Sequence, residues 1–321
     1  MADREYVDFN IWVYEPSKAA AIAFAVAFFA TGAMHTWQAV WRLTGLYVFC
    51  SLLFVGGFIA RSLGSYDTRN IIKYIVSIIL TYAAPYVLPA PNIHCSYFQV
   101  EKTPLYELGN YYILGRILYF VPHCSPIHPG RVLTTFAAIS TLIEVLNGVA
   151  ASYVANVTLP KHLQDTGHTL FKVALILQLV VILSFVTLAT TFYWRCRKNG
   201  INHTKVNQSL ITLYISSTII FARTIYRTVE YFEIETAITF TGSEGPPASP
   251  ILRYEWYFYV FEAALMLINS ILLNVRHPRQ WLPRSTKLYL AKGTFFSSFP
   301  TYASWITPWM VIKYPDTLNI S

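Results

Sequence analysis

Three charged side chains recur at helical spacing inside one long apolar segment. Arg223, Arg227 and Glu230 stand at i, i+4 and i+7, so a helix places them on one stripe. Ionisable groups at membrane depth are costly, and they mark paths for polar ligands or ions unless they only lock helices together. Because two arginines one turn apart repel each other, we expect acids from another segment to face them.

The next apolar segment supplies such acids. Glu255 and Glu262 lie two turns apart on one stripe, with Tyr259 between them. Arg223 and Glu262 lie at similar depths, each about 9 Å from the same membrane surface at about 1.5 Å per residue. The pattern predicts that Arg223 faces Glu262 and that Arg227 faces Glu255 or Tyr259.

Polar residues in two earlier apolar segments extend this prediction. Glu144 and Asn147 stand near the middle of one segment, and Gln178 stands in the outer half of the following one. With the charged stripes they predict a polar chamber in the outer half of a helix bundle. The alternative is a structural lock, in which Arg–Glu pairs and amides only bind helices to one another.

Histidine and aspartate are scarce inside the apolar segments. His35 is the one histidine well inside such a segment, and it is a candidate proton relay or a buried hydrogen-bond partner. A zinc hydrolase needs two or three His and Asp residues on facing helices, and no Asp lies inside any apolar segment. We therefore expect no metal, no cofactor and no enzymatic activity.

The composition shows where these residues must sit. The 321-residue chain is 55% hydrophobic and 12% charged, and its mean hydropathy is +0.42, whereas a soluble chain carries about 25% charged residues. Four cysteines without paired spacing indicate neither a disulfide framework nor a zinc ribbon. The net charge of +8 collects in particular loops, as membrane topology requires, so we expect no nucleic-acid partner.

Seven segments reach about the 20 residues needed to cross a hydrocarbon core. None shows the alternation of barrel strands, so all should be helices. The predicted spans are residues 17–38, 45–63, 71–88, 132–154, 170–192, 209–229 and 256–275. The sequence thus predicts an all-α integral membrane protein with seven transmembrane helices over residues 17–279.

Basic residues between the spans set the orientation. Segment 194–208 has four basic residues and no acid, whereas the loop 230–255 carries five glutamates. These charges predict an extracellular N-terminus over residues 1–16 and a cytosolic tail over residues 280–321, in a protein that we expect in the plasma membrane. Asn156, in a sequon on the predicted outer side, is a candidate glycosylation site.

One stretch does not fit a membrane span. Residues 89–110 combine prolines and charges at a density that a lipid-exposed helix does not tolerate, and a short apolar stub from Tyr111 to Val121 follows. Two interpretations stay open. Either span three ends near Leu88 and the stub lies at the inner membrane interface, or 89–106 is an insertion within a longer helix.

Several short motifs lie within and beside the spans over about residues 11–279. They are Tyr14-x-Pro16-Ser17 with His35, Gly57 with Arg61, Ala84-Pro85 with Gly115-Arg116-Ile117, Arg223-x-x-Tyr226-Arg227-x-x-Glu230-Tyr231, and Glu255-x-x-x-Tyr259-x-x-Glu262 before His277-Pro278. This set resembles the fungal lipid-translocating exporter family, the RTA-like proteins named for resistance to an aminosterol. The resemblance implies a seven-span protein that releases or flips amphipathic lipids, such as sphingoid long-chain bases.

The chain departs from the pattern of that family at five positions. Phe54 and Phe58 stand where the resemblance implies an acid and a tyrosine, and Ala137 stands where it implies an aspartate. Glu144 and Glu262 replace a glutamine and an aspartate. These departures leave open a different substrate preference or impaired transport.

The residues and the resemblance together predict a membrane translocator. We expect it to move sphingoid-base-like or sterol-like amphiphiles, to contribute to resistance to toxic amphiphiles, and to have membrane lipids or amphipathic small molecules as partners. Glu262, Glu255 and Glu144 would attract a cationic head group while the acyl chain stays in lipid. The alternative is a seven-span receptor or lipid sensor, which the span count and orientation also suit, and an intramembrane hydrolase has less support.

Overall fold

The protein is an α-helical, multi-pass membrane protein. The computed structural model describes residues 17–38, 44–66, 73, 76–77, 103–155, 159–201, 203–239, 251, 254–277, 281–282, 288–290 and 296–298. Within these ranges the helices are α1 (Lys18–Gln38), α2 (Thr44–Gly64), α3 (Thr103–Phe120), α4 (Pro129–Ala155), α5 (Lys161–Lys198), α6 (Thr204–Thr239) and α7 (Trp256–Val275). A 3₁₀ turn spans Pro122–Cys124, and the strands β1 (Leu288–Leu290) and β2 (Phe296–Ser298) pair antiparallel in the tail.

Six helices in the described ranges are long and apolar enough to cross a membrane, all but α3. They coincide with six of the predicted spans, and the predicted span 71–88 lies almost entirely outside the described residues. Helices α5 and α6 are longer than predicted, with 38 and 36 residues or about 55 Å each. Hydropathy marks only the part of a helix that prefers hydrocarbon, whereas the polar ends of α5 and α6 continue the same helices.

Helices α1 and α7 run parallel through the bundle. At one end the Ser17 backbone N–H donates to Glu255 Oε2 at 2.8 Å, and at the other Gln38 Nε2 donates to the Asn274 carbonyl at 3.2 Å. We call these the Ser17 end and the Gln38 end. The start of α1 and the end of α7 therefore lie at opposite ends of the bundle.

Helix α3 lies inside the bundle. Leu114 and Ile117 are fully buried, and a Cβ added at Gly109 would lie 2.2 Å from the Tyr47 hydroxyl. The interpretation of the apolar stub as an interfacial segment is therefore wrong, and residues 103–110 of the predicted irregular insertion are helical. A helix surrounded by protein can carry polar groups that lipid would reject, which is why hydropathy did not reveal it.

A stack of aromatic rings joins α1, α2 and α7. The ring centroids of Phe28 and Phe54 are 4.3 Å apart, and those of Phe24 and Phe58 are 5.5 Å apart. Phe24 also stacks on Tyr259 of α7 at 5.3 Å. Phe54 and Phe58 are fully buried. At these two positions of α2, where the chain departs from the family pattern, apolar packing thus takes the place of the implied acid and tyrosine.

Candidate functional site

A fully buried ion pair joins α6 and α7. Arg223 Nη2 donates to Glu262 Oε1, and neither side chain has any exposed area. The predicted contact between these residues is therefore present. Glu262 lies about 9 Å along α7 from Trp256 and about 20 Å from Val275, so the pair lies in the half nearer the Ser17 end.

A second ion pair lies one turn further along α6. Arg227 Nη1 donates to Glu230 Oε2 at 3.0 Å, and the Tyr226 hydroxyl donates to Glu230 Oε1 at 3.3 Å. Arg227 thus pairs with an acid at i+3 of its own helix. The predicted partner Glu255 pairs with Arg61 instead, and the predicted contact of Arg227 with Tyr259 stays a prediction. We call Arg223, Arg227, Glu230 and Glu262 together the ion-pair site.

The backbone of α7 changes its winding at this level. Residues Tyr259–Ala264 form a π-helical turn, and Glu262 lies within it. Such turns are rare, and they occur often at functional sites. The segment contains neither Pro nor Gly, so its composition carried no signal of the altered winding.

Glu255 ties three helices together at the Ser17 end. Its Oε1 accepts a hydrogen bond from Arg61 Nη2 at 2.9 Å, and its Oε2 accepts one from the Ser17 N–H. The Arg61 guanidinium also lies over the Phe258 ring, 4.4 Å from its centroid, and the Tyr259 hydroxyl donates to the Ser17 carbonyl at 3.5 Å. We call this group the Glu255 clasp, and it is distinct from the ion-pair site.

A buried acid on α3 forms a further polar cluster. Glu107 is 3% exposed, and it accepts hydrogen bonds from Gln178 Nε2 at 3.0 Å and from the Tyr111 hydroxyl at 2.9 Å. The Tyr111 hydroxyl also lies 3.1 Å from Ser140 Oγ on α4. Gln178 thus joins this Glu107 cluster instead of the charged stripes. Glu107 belongs to the stretch 89–110 that does not fit a membrane span by its prolines and charges, although its i+4 spacing to Tyr111 is a helical signal.

The remaining predicted residues on α4 lie on one face of that helix. Glu144 is half-buried and Asn147 is buried, and both follow Ser140 at helical spacing. The candidate glycosylation site, Asn156, lies outside the described residues. Among the described residues, no three His, Cys, Asp or Glu side chains gather in a way that could hold a metal ion.

His35 lies in the seam between α1 and α7. It is fully buried, and its Nε2 lies 3.3 Å from Ser270 Oγ. Its ring packs against the Tyr47 ring at a centroid distance of 5.3 Å. His35 therefore has a hydrogen-bonding neighbour on α7, which both the relay and the structural interpretation permit.

Comparison with known proteins identifies the family. The sequence pattern described as RTA1 like protein matches residues 47–285, from α2 to just beyond α7. The chain belongs to the RTA1-like family. The resemblance drawn from the motifs is thus confirmed, and the matched residues include the ion-pair site, the Glu107 cluster and every member of the Glu255 clasp except Ser17.

Named fungal proteins are relatives of this RTA1-like chain. The lipid-translocating exporter-like protein RTA1 of Leptosphaeria maculans is 39% identical over 88% of this chain and 54% of its own length. The probable lipid transporter atnI of Emericella nidulans is 26% identical over 84% of this chain and 67% of its own length. Protein RTM1 of Saccharomyces cerevisiae is 24% identical over 84% of this chain and 91% of its own length.

The RTA1-like chain is shorter than some of these relatives. It spans little more than half the length of the Leptosphaeria protein and 59% of a second lipid-translocating exporter-like protein RTA1, from Ajellomyces capsulatus. No solved structure matches the chain.

Proposed function

We propose that this RTA1-like protein moves amphipathic lipids across the membrane and that the ion-pair site binds their polar head group. The observation that carries the proposal is the Arg223–Glu262 pair, which has no exposed area between two apolar helices. Burying such a pair costs more than packing apolar residues of the same volume. Hydrogen bonds between membrane helices average only about 0.6 kcal/mol, so holding α6 to α7 does not require it. The names of the relatives, lipid-translocating exporter-like protein and probable lipid transporter, support the same class.

A cationic head group can compete with Arg223 for Glu262. Glu262 Oε2 has no hydrogen-bond partner in the part of the chain that the structure describes, so the carboxylate can accept an ammonium group before it releases Arg223. The hydrocarbon tail would remain in lipid beside the exposed apolar side chains of the bundle. This selects amphiphiles such as sphingoid long-chain bases, whose toxicity the protein would limit by moving them.

The proposed orientation places the Ser17 end outside and the Gln38 end in the cytosol of a cell whose plasma membrane holds the protein. The basic segment 194–208 and the acidic loop 230–255 support this choice. The parallel course of α1 and α7 agrees with termini on opposite sides. In this orientation an outward-moving head group leaves from the half of the bundle that holds the ion-pair site.

Purified protein in liposomes tests the proposal. A fluorescent sphingoid base should cross faster with wild-type protein than in empty vesicles, and Glu262→Gln should lower the protein-dependent rate at least about tenfold, or about 1.4 kcal/mol. Glu233→Gln, the same change near the end of α6, is the matched control and should keep the wild-type rate. Wild-type vesicles that move the probe no faster than empty ones would contradict the proposal, and binding of the probe without movement would favour the receptor or lipid sensor.

A further inference from the structure

The buried face of α7 remains polar beyond the ion-pair site. Asn269 and Ser270 follow Glu262 at i+7 and i+8, and both are fully buried. Asn269 lies about 10 Å further along α7, in the half nearer the Gln38 end. A head group that crosses the whole bundle must pass this level as well as the level of Glu262.

Asn269 has an unusual environment for a buried amide. Neither its Oδ1 nor its Nδ2 finds a hydrogen-bond partner in the described ranges. Most buried side-chain polar atoms have at least one partner, because an unmade hydrogen bond destabilises the folded state. A leucine of similar volume would avoid that penalty, so the amide conflicts with stability, as residues at binding sites often do.

The helix register places further polar groups at the same level. Asn269 lies seven residues after Glu262, and Ser216 lies seven residues before Arg223 on the antiparallel α6. Ser216 is fully buried, and it exchanges hydrogen bonds of 2.9 and 3.1 Å with Asn110 of α3. Three helices thus contribute amides and a hydroxyl to one layer of the bundle.

Helix α1 completes this layer. Ser270 Oγ lies 3.3 Å from His35 Nε2, and His35 Nδ1 is a third buried atom of this layer without a partner among the described residues. We call Asn110, Ser216, Asn269, Ser270 and His35 the Asn269 layer. Its members are amides, hydroxyls and one imidazole, so it suits hydroxyl or amide groups better than a second ion.

We propose that the Asn269 layer is a second station for the translocated head group and that the Asn269 amide binds its hydroxyl or amide groups. The inference rests on the proposed function, and it adds neutral hydrogen-bonding groups to the ammonium that Glu262 recognises. The amide supplies two donors and an acceptor to a hydroxyl that would otherwise be desolvated among apolar side chains. The two stations lie on either side of the middle of α7, so together they serve both halves of the crossing.

Asn269→Leu separates this role from a structural one. The substitution should raise Tm in detergent by about 2–4 °C, because it removes an unpartnered buried amide. The rate at which a fluorescent sphingoid base crosses the membrane of liposomes should also be at least about fivefold lower with Asn269→Leu than with wild-type protein. Asn274→Leu is the matched control on the same helix. Asn274 Nδ2 donates to the Thr31 carbonyl at 3.2 Å, so this change should lower Tm while the rate per folded molecule stays within about twofold.

A wild-type rate in Asn269→Leu vesicles would overturn the proposal. If leucine prevents folding, Asn269→Ser and Asn269→Ala replace it. Serine keeps a hydrogen-bonding group and should move the probe at least about three times faster than alanine, and equal rates would overturn the second station. Wild-type protein that moves no probe is a separate result, because it removes the proposed function itself and the second station with it.

Discussion

Two arginine–glutamate pairs lie at different depths of the bundle. Arg223 and Glu262 have no exposed area and join α6 to α7 where α7 is wound as a π-helix. Arg61 and Glu255 retain 5% and 12% side-chain exposure where α1 begins. The shallower pair also has the Ser17 N–H and the Phe258 ring as partners.

The difference shows how depth changes what an ion pair can do. Near the bundle end, partial solvation lowers the cost of each charge, so the Glu255 clasp can hold three helices with modest energies. At depth each ion loses several kcal/mol of solvation free energy. The attraction between the two charges offsets that loss only while the hydrogen-bonded geometry of the pair is kept. A ligand that competes for Glu262 would therefore replace a strong electrostatic interaction. This suits a binding site better than a contact that only holds two helices together.

Glu262→Ala should produce the largest effect. It removes the acid that Arg223 contacts at zero exposure, so the free energy of unfolding should fall by about 3–5 kcal/mol. Denaturant unfolding in mixed micelles measures this change. Ala33→Ser, at an exposed position of α1, is a control whose free energy of unfolding should stay within about 0.5 kcal/mol of wild type. A loss below about 1 kcal/mol would show that the pair is more solvated than its burial indicates.

Removing both charges should separate stability from transport. In R223M/E262L, apolar side chains of similar volume replace the pair, so the free energy of unfolding should return to within about 1 kcal/mol of wild type or exceed it. Movement of a fluorescent sphingoid base should stay at least about tenfold below wild type, because Glu262 is the proposed ammonium ligand. Recovery of both stability and transport would show that the pair only locks α6 to α7.

The contact between Arg223 and Glu262 was predictable from sequence because two stripes of matched depth lie on consecutive, antiparallel segments. The partner of Arg227 was not predictable in the same way. Glu230 at i+3 competes with acids on another helix, and spacing alone does not choose between them. Depth matching therefore identified the ion-pair partner of Arg223, which has no acid at i+3 or i+4 of its own helix.

Helix α3 and Asn269 escaped prediction for physical reasons. Hydropathy measures preference for lipid, whereas α3 is surrounded by protein and can carry Glu107 and Asn110. One asparagine in an apolar run has no spacing that identifies its neighbours, and the π turn at Tyr259–Ala264 has no compositional signal. These features depend on which helices pack against one another. The spacing of residues along one sequence does not specify that packing directly.

The Glu107 cluster is a buried acid that has neutral hydrogen-bond donors as partners. It tests whether burial alone, or pairing with an arginine, determines how much stability is lost when a buried acid is removed. Glu107→Ala removes the acceptor for Gln178 Nε2 and the Tyr111 hydroxyl, so the free energy of unfolding should fall by about 1–3 kcal/mol. Glu107→Gln keeps an acceptor oxygen and should recover at least half of that loss. The same denaturant titration measures both variants, and equal losses would show that the carboxylate charge matters more than its hydrogen bonds.

Glu255→Gln should have the smallest effect. Glutamine can still accept the Ser17 N–H, and Arg61 keeps its contact with the Phe258 ring, so the free energy of unfolding should fall by about 0.5–1 kcal/mol. The comparison with Glu262→Gln is direct because both variants remove one charge from an Arg–Glu pair on α7. Transport per folded molecule should stay within about twofold for Glu255→Gln and fall about tenfold for Glu262→Gln. A larger transport loss for Glu255→Gln than for Glu262→Gln would place the head-group site at the Ser17 end. It would show that the more exposed carboxylate binds the head group and that the fully buried one does not.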